Sequence, residues 1–154
     1  MSAAATVHAR LAALGATVAV AESLTGGLLC AALTDTAGAS ATVRGGLVVY
    51  ATDLKAALAG VSKSLLAQRG AVDPDVAIAL ARGARSRLRA TYGIGVTGVA
   101  GPDEQDGKAV GTVYAAVSGP RREVMHEHRL TGERAAIRAA AVDVCLDLLL
   151  VELG

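Results

Sequence analysis

The sequence predicts an α/β protein, a three-layer α/β/α sandwich with a mixed, mostly parallel sheet. Three observations lead to this fold class. Helical patterns alternate with short apolar strands in the first two-thirds of the 154 residues, a hairpin pattern follows, and a long helical pattern closes the chain. Alternation of this kind is typical of parallel strands that are covered by helices on both faces. A chain of this length, 53% hydrophobic, can bury a substantial core, and we expect one domain over residues 1–154.

Glycine, aspartate and proline mark most of the predicted helix ends. Asp73 is a natural N-cap, and Pro74 suits the first helical position after it. The predicted helices cover residues 3–14, 24–35, 53–59 and 62–69, the segment that starts at Asp73, and residues 132–149.

Short runs rich in β-branched residues predict the strands. The first three cover residues 16–21, 45–51 and 92–98. "VGTVYAAVSGPRREVMHEHRL" then predicts a hairpin that turns at Ser118-Gly119-Pro120.

Composition and charge narrow the classes of function. The net charge is +1, the aromatic content is 2%, and the arginines between Arg82 and Arg89 have helical spacing. This indicates a solvated helix face rather than a nucleic-acid surface. Cys30 and Cys145 lie far apart in apolar surroundings and are expected to be free thiols. Without a signal-peptide pattern or a long apolar run, we expect a soluble, cytoplasmic protein that binds no membrane.

Polar residues collect where the three predicted parallel strands end. Ligands bind beyond the carboxyl ends of such strands, so side chains from these positions are expected to share one crevice. We therefore predict an active site there. Its residues are Glu22, Ser23, Thr25, Gly26 and Gly27 from the first strand end, Tyr50 and Lys55 from the second, and Thr97 and Gly98 from the third.

Each of these residues has a structural alternative. Ser23 could be the N-cap of the next helix. The Gly26-Gly27 pair argues for more, because two glycines weaken a helix by about 1 kcal/mol each and permit close approach to the backbone. A helix N-terminus at this point would also suit a phosphate. Lys55 could be a surface residue, although lysine, unlike arginine, can act as a base when it is desolvated.

Three apparent motifs are not accepted as sites. "GIGVTG" matches a dinucleotide-binding pattern by letter, but no helical pattern follows it. "GPDEQDGKA" lacks the hydroxyl residue and the spacing of a phosphate loop. His126 and His128 would share a strand face without a third ligand, so we expect no metal and no other cofactor.

Several stretches resemble, in order, the CinA C-terminal domain family, the nicotinamide-nucleotide amidohydrolases. They are "AESLTGG", "GASATVRGGLVVYATDLKAALAGV", "GAVDPDVAIALARGAR", "GVTGVAGPDEQDGKAVGTVYAAV" and "TGERAAIRAAAVDVCLDLL". The resemblance covers about residues 3–150. Larger members of the family carry an additional N-terminal domain, so the chain is similar to the stand-alone form.

The resemblance implies hydrolysis of the carboxamide of nicotinamide mononucleotide (NMN) to nicotinate mononucleotide and ammonia, in pyridine-nucleotide salvage. It implies a metal-free mechanism with Ser23 as the nucleophile, assisted by Lys55 and Tyr50, in a homo-oligomer whose sites lie near a subunit interface. Glu22, Thr25, Gly26, Gly27, Thr97 and Gly98 are predicted to bind the substrate. Backbone N–H groups near Gly26, or around Thr97 and Gly98, are expected to hold the oxyanion.

Two alternatives remain open. One is a non-catalytic nucleotide-binding or regulatory module of the same fold, and the other is a nucleotide phosphohydrolase. Arg134 and Arg138 are expected to form salt bridges on the last helix, with phosphate binding as the alternative.

Overall fold

The computed structural model describes residues 1–154 and contains one five-stranded sheet. Its strands are β1 (Val18–Glu22), β2 (Val43–Val48), β3 (Tyr92–Gly98), β4 (Thr112–Ser118) and β5 (Glu123–Arg129). They lie in the order β2-β1-β3-β4-β5. β1 pairs in parallel with β2 and β3, whereas β4 is antiparallel to both β3 and β5. Only β4 is reversed, so the predicted mixed, mostly parallel sheet is confirmed.

Helices cover both faces of this sheet. They are α1 (Ala3–Leu14), α2 (Leu28–Thr34), α3 (Thr52–Ala59), α4 (Lys63–Arg69), α5 (Pro74–Arg87) and α6 (Arg134–Leu153), with a 3-10 turn at Ala39–Ala41. On one face α1, α2 and α6 form a core with Val20 and Ile94. On the other face α3, α4 and α5 pack against Ala19 and Ala21. The three-layer architecture is therefore confirmed.

The connections between the parallel strands define an open crevice. The chain leaves β1 through α2 on one face to reach β2 at the sheet edge. It returns through α3, α4 and α5 on the other face to β3, on the opposite side of β1. The connection from β1 thus leads to its neighbour on one side, and the next connection leads to its neighbour on the other side. Such a switch point is where α/β sheets bind ligands, beyond the carboxyl ends of the strands. Ser23 lies at that point, directly after β1.

Two glycines of β3 allow α5 to lie unusually close to the sheet. A Cβ atom on Gly93 would lie 2.0 Å from the carbonyl oxygen of Ala81, and one on Gly95 would lie 2.3 Å from that of Ala77. No side chain fits at those distances. The glycines of "GIGVTG" are therefore explained by packing between helix and strand, in agreement with the rejection of that motif.

Several predicted boundaries differ from the structure, each for a local reason. The second helix begins at Leu28 rather than at residue 24, because Gly26 and Gly27 take left-handed backbone conformations. The second strand covers Val43–Val48 rather than 45–51, since the chain turns into α3 after Val49. The last helix runs from Arg134 to Leu153 rather than 132–149, and Gly132 has a φ of +108° that no helix accepts.

Both cysteines are free thiols, as predicted. Cys145 is fully buried, and burial raises the pKa of its thiol, whereas Cys30 is only half-buried. None of the helices combines the length and the apolar character required to span a membrane.

Candidate active site

A buried serine–lysine pair lies at the carboxyl end of the parallel strands. The Nζ atom of Lys55 lies 2.9 Å from the Oγ atom of Ser23 and donates to it. The same Nζ donates to the backbone oxygens of Val49, at 2.8 Å, and Tyr50, at 3.1 Å. Lys55 is 1% exposed and Ser23 is 8% exposed. The structure therefore joins two of the predicted catalytic residues directly, and Lys55 is not a surface residue.

The sheet itself brings these two side chains together. Beyond the last paired residues of β1, the N–H of Ser23 donates to the carbonyl oxygen of Val96, and the N–H of Val49 donates to that of Glu22. Ser23 is thus held between β3 and the segment that follows β2. Lys55 lies in the first half of α3, only a few residues after Val49, so its side chain reaches back under the strand ends.

Burial lowers the pKa of Lys55 from 10.5 to about 8, although the negative charge of Asp106 raises it in part. Desolvation disfavours the charged ammonium, whereas a nearby carboxylate favours it. The two backbone carbonyls accept two N–H groups of a neutral amine, and its remaining lone pair can accept the proton of Ser23. A lysine in this environment has the properties of a general base near neutral pH.

Tyr50 takes part through two different atoms. Its backbone oxygen accepts from Lys55, but its phenolic oxygen accepts from Nη2 of Arg134 at 3.1 Å. The tyrosine side chain is 59% exposed and makes no hydrogen bond to Ser23 or Lys55. Tyr50 therefore lies beside the serine–lysine pair without bridging it.

Ser23 opens into a cleft of about 110 Å³. The walls come from the strand ends, from the loop after β3 and from the first turn of α6. The residues that matter chemically are Ser23, Tyr50, Gly98, Asp103, Gln105 and Arg134. A larger depression of about 410 Å³ lies at the other end of the strands, beside Tyr92 and the ion pair of Arg122 with Glu152, and it contains no comparable pair of groups.

Glu22, which is predicted to bind the substrate, makes its hydrogen bonds within the chain. The side chain is fully buried, and its carboxylate accepts hydrogen bonds from the N–H groups of Gly27, Leu29 and Cys30 at 2.9 to 3.2 Å. These are the free N–H groups at the start of α2, which we had expected to suit a phosphate. Because the protein supplies its own anion there, this helix end is not a free anion site.

Three further residues that are predicted to bind the substrate or the oxyanion do not line this cleft. Thr97 is 1% exposed, and its hydroxyl donates to the carbonyl oxygen of Ala71 at 2.8 Å. Thr25 is fully buried, with no partner for its hydroxyl. The N–H of Gly26 donates to the carbonyl oxygen of Ser23, so it cannot hold an oxyanion. Of the predicted binding residues, only Gly98 lines the cleft.

Ser23 is not a helix cap either, because the N-cap of α2 is Gly27. Its turn is instead held from outside by Arg138 on α6. Nε of Arg138 donates to the carbonyl oxygen of Leu24 at 2.9 Å, and Nη2 donates to that of Thr25 at 3.3 Å. Arg134 and Arg138 thus both donate hydrogen bonds to groups of the site, and neither forms the expected salt bridge on the last helix.

Sequence reasoning missed several residues of the cleft. Asp103 and Gln105 lie in the glycine-rich loop, and only its polar character signals their presence. Arg134 was predicted to bind phosphate only as an alternative to a salt bridge, because it lies more than a hundred residues from Ser23 and nothing local places it at the cleft. The N–H of Leu24, directly after Ser23, donates no hydrogen bond within the chain, and the same is true of Ala100 and Gly101. These three residues also line the cleft.

His126 and His128 lie on the edge strand β5 with ring centroids 6.4 Å apart. Burial lowers the pKa of His128, and the charge of His126 adds to that effect. No group of three or more histidine, cysteine or acidic side chains is arranged to hold a metal ion.

The fold and the site together define a three-layer α/β protein with a buried serine–lysine pair at the switch point of its sheet. The sequence model of the CinA C-terminal domain matches residues 1–153. The chain belongs to this family.

Relatives and solved structures agree with this assignment. A CinA-like protein of Frankia casuarinae is 55% identical over 133 residues, which are 86% of this chain and 31% of that protein. The chain spans about a third of the length of the curated relatives it matches. The crystal structure of a CinA superfamily protein from Klebsiella pneumoniae has a TM-score of 0.94 and 30% identity, covering 98% of this chain and 95% of that one. The competence/damage inducible protein CihA from Agrobacterium tumefaciens has a TM-score of 0.90 and 37% identity, covering 99% and 96%.

Proposed function

We propose that the chain hydrolyses the carboxamide of nicotinamide mononucleotide, giving nicotinate mononucleotide and ammonia. The observation that carries this proposal is the 2.9 Å contact between Ser23 Oγ and Lys55 Nζ, with both groups buried and the pKa of the lysine lowered to about 8. A nucleophile that touches a base is the minimal apparatus of covalent amide hydrolysis. The choice of substrate comes from the sequence resemblance to nicotinamide-nucleotide amidohydrolases.

The first chemical step uses only this pair. Ser23 Oγ attacks the carboxamide carbon while its proton passes to the neutral amine of Lys55. Lys55 acts directly, because no other side chain lies between the two atoms. The resulting ammonium then gives its proton to the departing nitrogen, and ammonia leaves. A water molecule attacks the acyl-enzyme with Lys55 again as the base, and the proton returns to Ser23 as nicotinate mononucleotide is released.

The negative oxygen of the tetrahedral intermediate requires hydrogen-bond donors. The N–H of Leu24 follows the nucleophile directly, as one oxyanion donor does in other serine hydrolases, and it has no acceptor within the chain. Ala100 and Gly101, whose N–H groups also have no acceptor within the chain, line the same cleft. We assign the oxyanion site to these groups in place of the N–H groups of Gly26 or of Thr97 and Gly98. One such donor typically contributes a factor of roughly 100 to 1,000 in rate.

Arg134 is the proposed phosphate ligand. The cleft of about 110 Å³ is smaller than the ~300 Å³ of a pocket that encloses a whole small ligand, so only the reacting end of the nucleotide would enter it. The ribose phosphate would then lie at the mouth, where Arg134 and the exposed phenol of Tyr50 are joined by a hydrogen bond. Tyr50 accordingly has a binding role in this scheme, beside the carbonyl that it offers to Lys55.

A second copy of the chain is the proposed partner at this mouth. Val48, Tyr50 and Leu54 are exposed large hydrophobic residues, Tyr50 lines the cleft, and β2 is an edge strand whose outer side is unpaired. Contact between copies would cover this apolar surface and enclose the outer part of the substrate. Sedimentation equilibrium of wild type and Val48→Glu tests this point. We expect a dimer or larger assembly that the charge weakens, and a monomeric wild type would refute it.

Ammonia release from NMN by the purified protein tests the reaction. We expect wild type to release ammonia, Ser23→Ala to lose at least 1,000-fold in rate, and Ser64→Ala, at an exposed serine of α4, to match wild type. Lys55→Arg keeps the charge but cannot accept a proton, and it should be nearly inactive. If no variant and no wild-type preparation releases ammonia, the proposal fails in favour of a binding module. Equal rates in wild type and Ser23→Ala would remove Ser23 as the nucleophile.

A further inference from the structure

The "GPDEQDGKA" segment, which is not a phosphate loop, forms a tight turn, and one side chain of that turn contacts another part of the chain. The N–H of Gln105 donates to the carbonyl oxygen of Lys108 at 3.2 Å, and the N–H of Lys108 donates to that of Gln105 at 2.8 Å. Asp106 and Gly107 between them have φ values of +52° and +74°. Two consecutive left-handed residues are the signature of a type I′ hairpin turn, for which Asp-Gly is a favoured pair. This turn points the Asp106 side chain away from its own loop.

The carboxylate of Asp106 docks on the connection between α4 and α5. Oδ2 of Asp106 accepts a hydrogen bond from the N–H of Ala71 at 3.0 Å. A Cβ atom on Gly70 would lie 2.7 Å from Cγ of Asp106, so the absence of a side chain at Gly70 makes room for the carboxylate. The carbonyl oxygen of Ala71 accepts from the hydroxyl of Thr97 at the end of β3. The two backbone polar groups of Ala71 therefore hold the tip of the 99–111 loop, through Asp106, and the end of β3 that precedes the loop, through Thr97.

The contact between Asp106 and Ala71 affects the candidate active site, because the loop that carries Asp106 also forms one wall of the cleft. Asp103 and Gln105 line the cleft within a few residues of Asp106. A loop that is free at its tip would let that wall move, and small displacements of substrate-positioning groups are costly in rate.

Asp106 is also the charged group whose field acts on Lys55, and it opposes the effect of burial on the pKa of that lysine. The other groups that face the Lys55 amine are the neutral Ser23 hydroxyl and two backbone carbonyls. Among the charged residues nearby, Glu22 is bound to the start of α2, and Arg134 is bound to Tyr50 and Gly101. Asp53 on α3 and Asp103 in the lining of the cleft are both exposed.

We propose that Asp106 is a positioning residue of the site, which anchors the wall of the cleft to Ala71 and keeps one negative charge fixed near the serine–lysine pair. The anchor and the charge are properties of the folded chain. Only their effect on turnover rests on the proposed function. Because Asp106 is exposed on its outer side, solvent and salt screen its charge, and the electrostatic effect is expected to be modest.

Two substitutions separate the charge from the anchor. Asp106→Asn removes the charge and keeps an oxygen that accepts from Ala71, whereas Asp106→Ala removes both. The chain has only three lysines, so NMR of protein with labelled lysine side chains can follow the Lys55 amine, with Lys63 and Lys108 as internal references and Lys55→Arg for assignment. Amide hydrogen exchange at Ala71 reports the anchor. Glu104→Gln, at an exposed carboxylate of the same loop, is the matched control.

In Asp106→Asn we expect the pKa of Lys55 to fall by roughly half a unit at low salt, with less change at 1 M salt and with slow exchange retained at Ala71. In Asp106→Ala the pKa should fall similarly and the Ala71 amide should exchange at least tenfold faster. Glu104→Gln should match wild type in both measurements. An unchanged Lys55 titration in Asp106→Asn, or unchanged Ala71 exchange in Asp106→Ala, would overturn the proposal.

Kinetics then connect Asp106 to the reaction. The acid limb of kcat/KM for Asp106→Asn should move to lower pH by the same amount as the pKa of Lys55 measured by NMR. Asp106→Ala should lose about tenfold in kcat/KM through the displaced wall. If wild type releases no ammonia from NMN, the proposed function fails while the NMR and exchange results still decide the role of Asp106. An active wild type whose acid limb does not move in Asp106→Asn would count against Asp106 alone.

Discussion

The pH dependence of turnover follows from the burial of Lys55. The base must be neutral to accept the proton of Ser23, so kcat/KM should rise with pH until Lys55 has lost its proton. The experiment therefore measures kcat/KM between pH 6 and pH 10 for wild type and for the Ser64→Ala control. Lowering the pH below the pKa of Lys55 protonates it and should remove activity, whereas raising the pH above that value should restore it.

The size of this effect can be worked out from the lowered pKa. With a pKa of about 8, Lys55 is neutral in roughly 9% of molecules at pH 7 and in about 1% at pH 6. A lysine with the ordinary value of 10.5 would be neutral in only ~0.03% of molecules at pH 7. Burial therefore makes the free base about 300 times more abundant at neutral pH. We expect kcat/KM to fall about tenfold per pH unit below pH 7.5 and to level off above pH 8.5.

The assay is the initial rate of ammonia release from NMN at substrate concentrations well below KM. Under that condition kcat/KM reports the ionisation of the free enzyme, which is the state of the structure. NMR titration of the labelled Lys55 amine gives an independent value for the same group. A profile that is flat between pH 6 and 9, or an acid limb that disagrees with the NMR titration by more than a unit, would refute Lys55 as the base.

Three further substitutions, two of them paired with a control substitution, test the roles assigned above. Glu22→Gln should lower the free energy of unfolding by about 2 to 4 kcal/mol in urea denaturation, because an amide cannot accept from all three N–H groups at the start of α2, whereas Glu104→Gln should change it little. Gly95→Ala should lower it by about 3 kcal/mol, since its Cβ would meet the α5 backbone. Gly107→Ala, where a Cβ meets nothing within 4 Å and only the positive φ costs energy, should lose about 1 kcal/mol. Arg134→Gln should raise KM for NMN about 10- to 100-fold with little change in kcat if Arg134 binds the phosphate. An unchanged KM would reject that assignment.

Local signals in the sequence were sufficient for most of the fold. Asp73 and Pro74 mark the start of α5, and the structure places Asp73 as its N-cap with Pro74 at the first helical position. The apolar run over 92–98 coincides with β3. These elements could be predicted because capping and hydrophobic periodicity act between residues that are close in sequence.

The candidate site was only partly predictable, because its residues come from separate elements. Ser23 and Lys55 could be proposed, since both follow strands that were expected to be parallel neighbours. The sequence did not predict that the side chain of Glu22 turns back to α2 or that the side chain of Thr97 turns towards Ala71. Within a strand, side chains alternate between the two faces of the sheet, so the face on which a residue lies can be predicted. At these two positions the strand gives way to a turn, and the alternation no longer applies.

By itself, the sequence determined the order of helices and strands, the strand ends at which polar residues collect, and the family to which the chain belongs. Only the tertiary structure decided that Lys55 is buried against Ser23, that Arg134 reaches Tyr50 from the last helix, and that Asp106 docks on Ala71. The physical reason is that propensity and periodicity act over a few residues, whereas these contacts join segments 32 to 84 residues apart. Their geometry is set by the order and direction of the strands and by the faces on which the connecting helices lie.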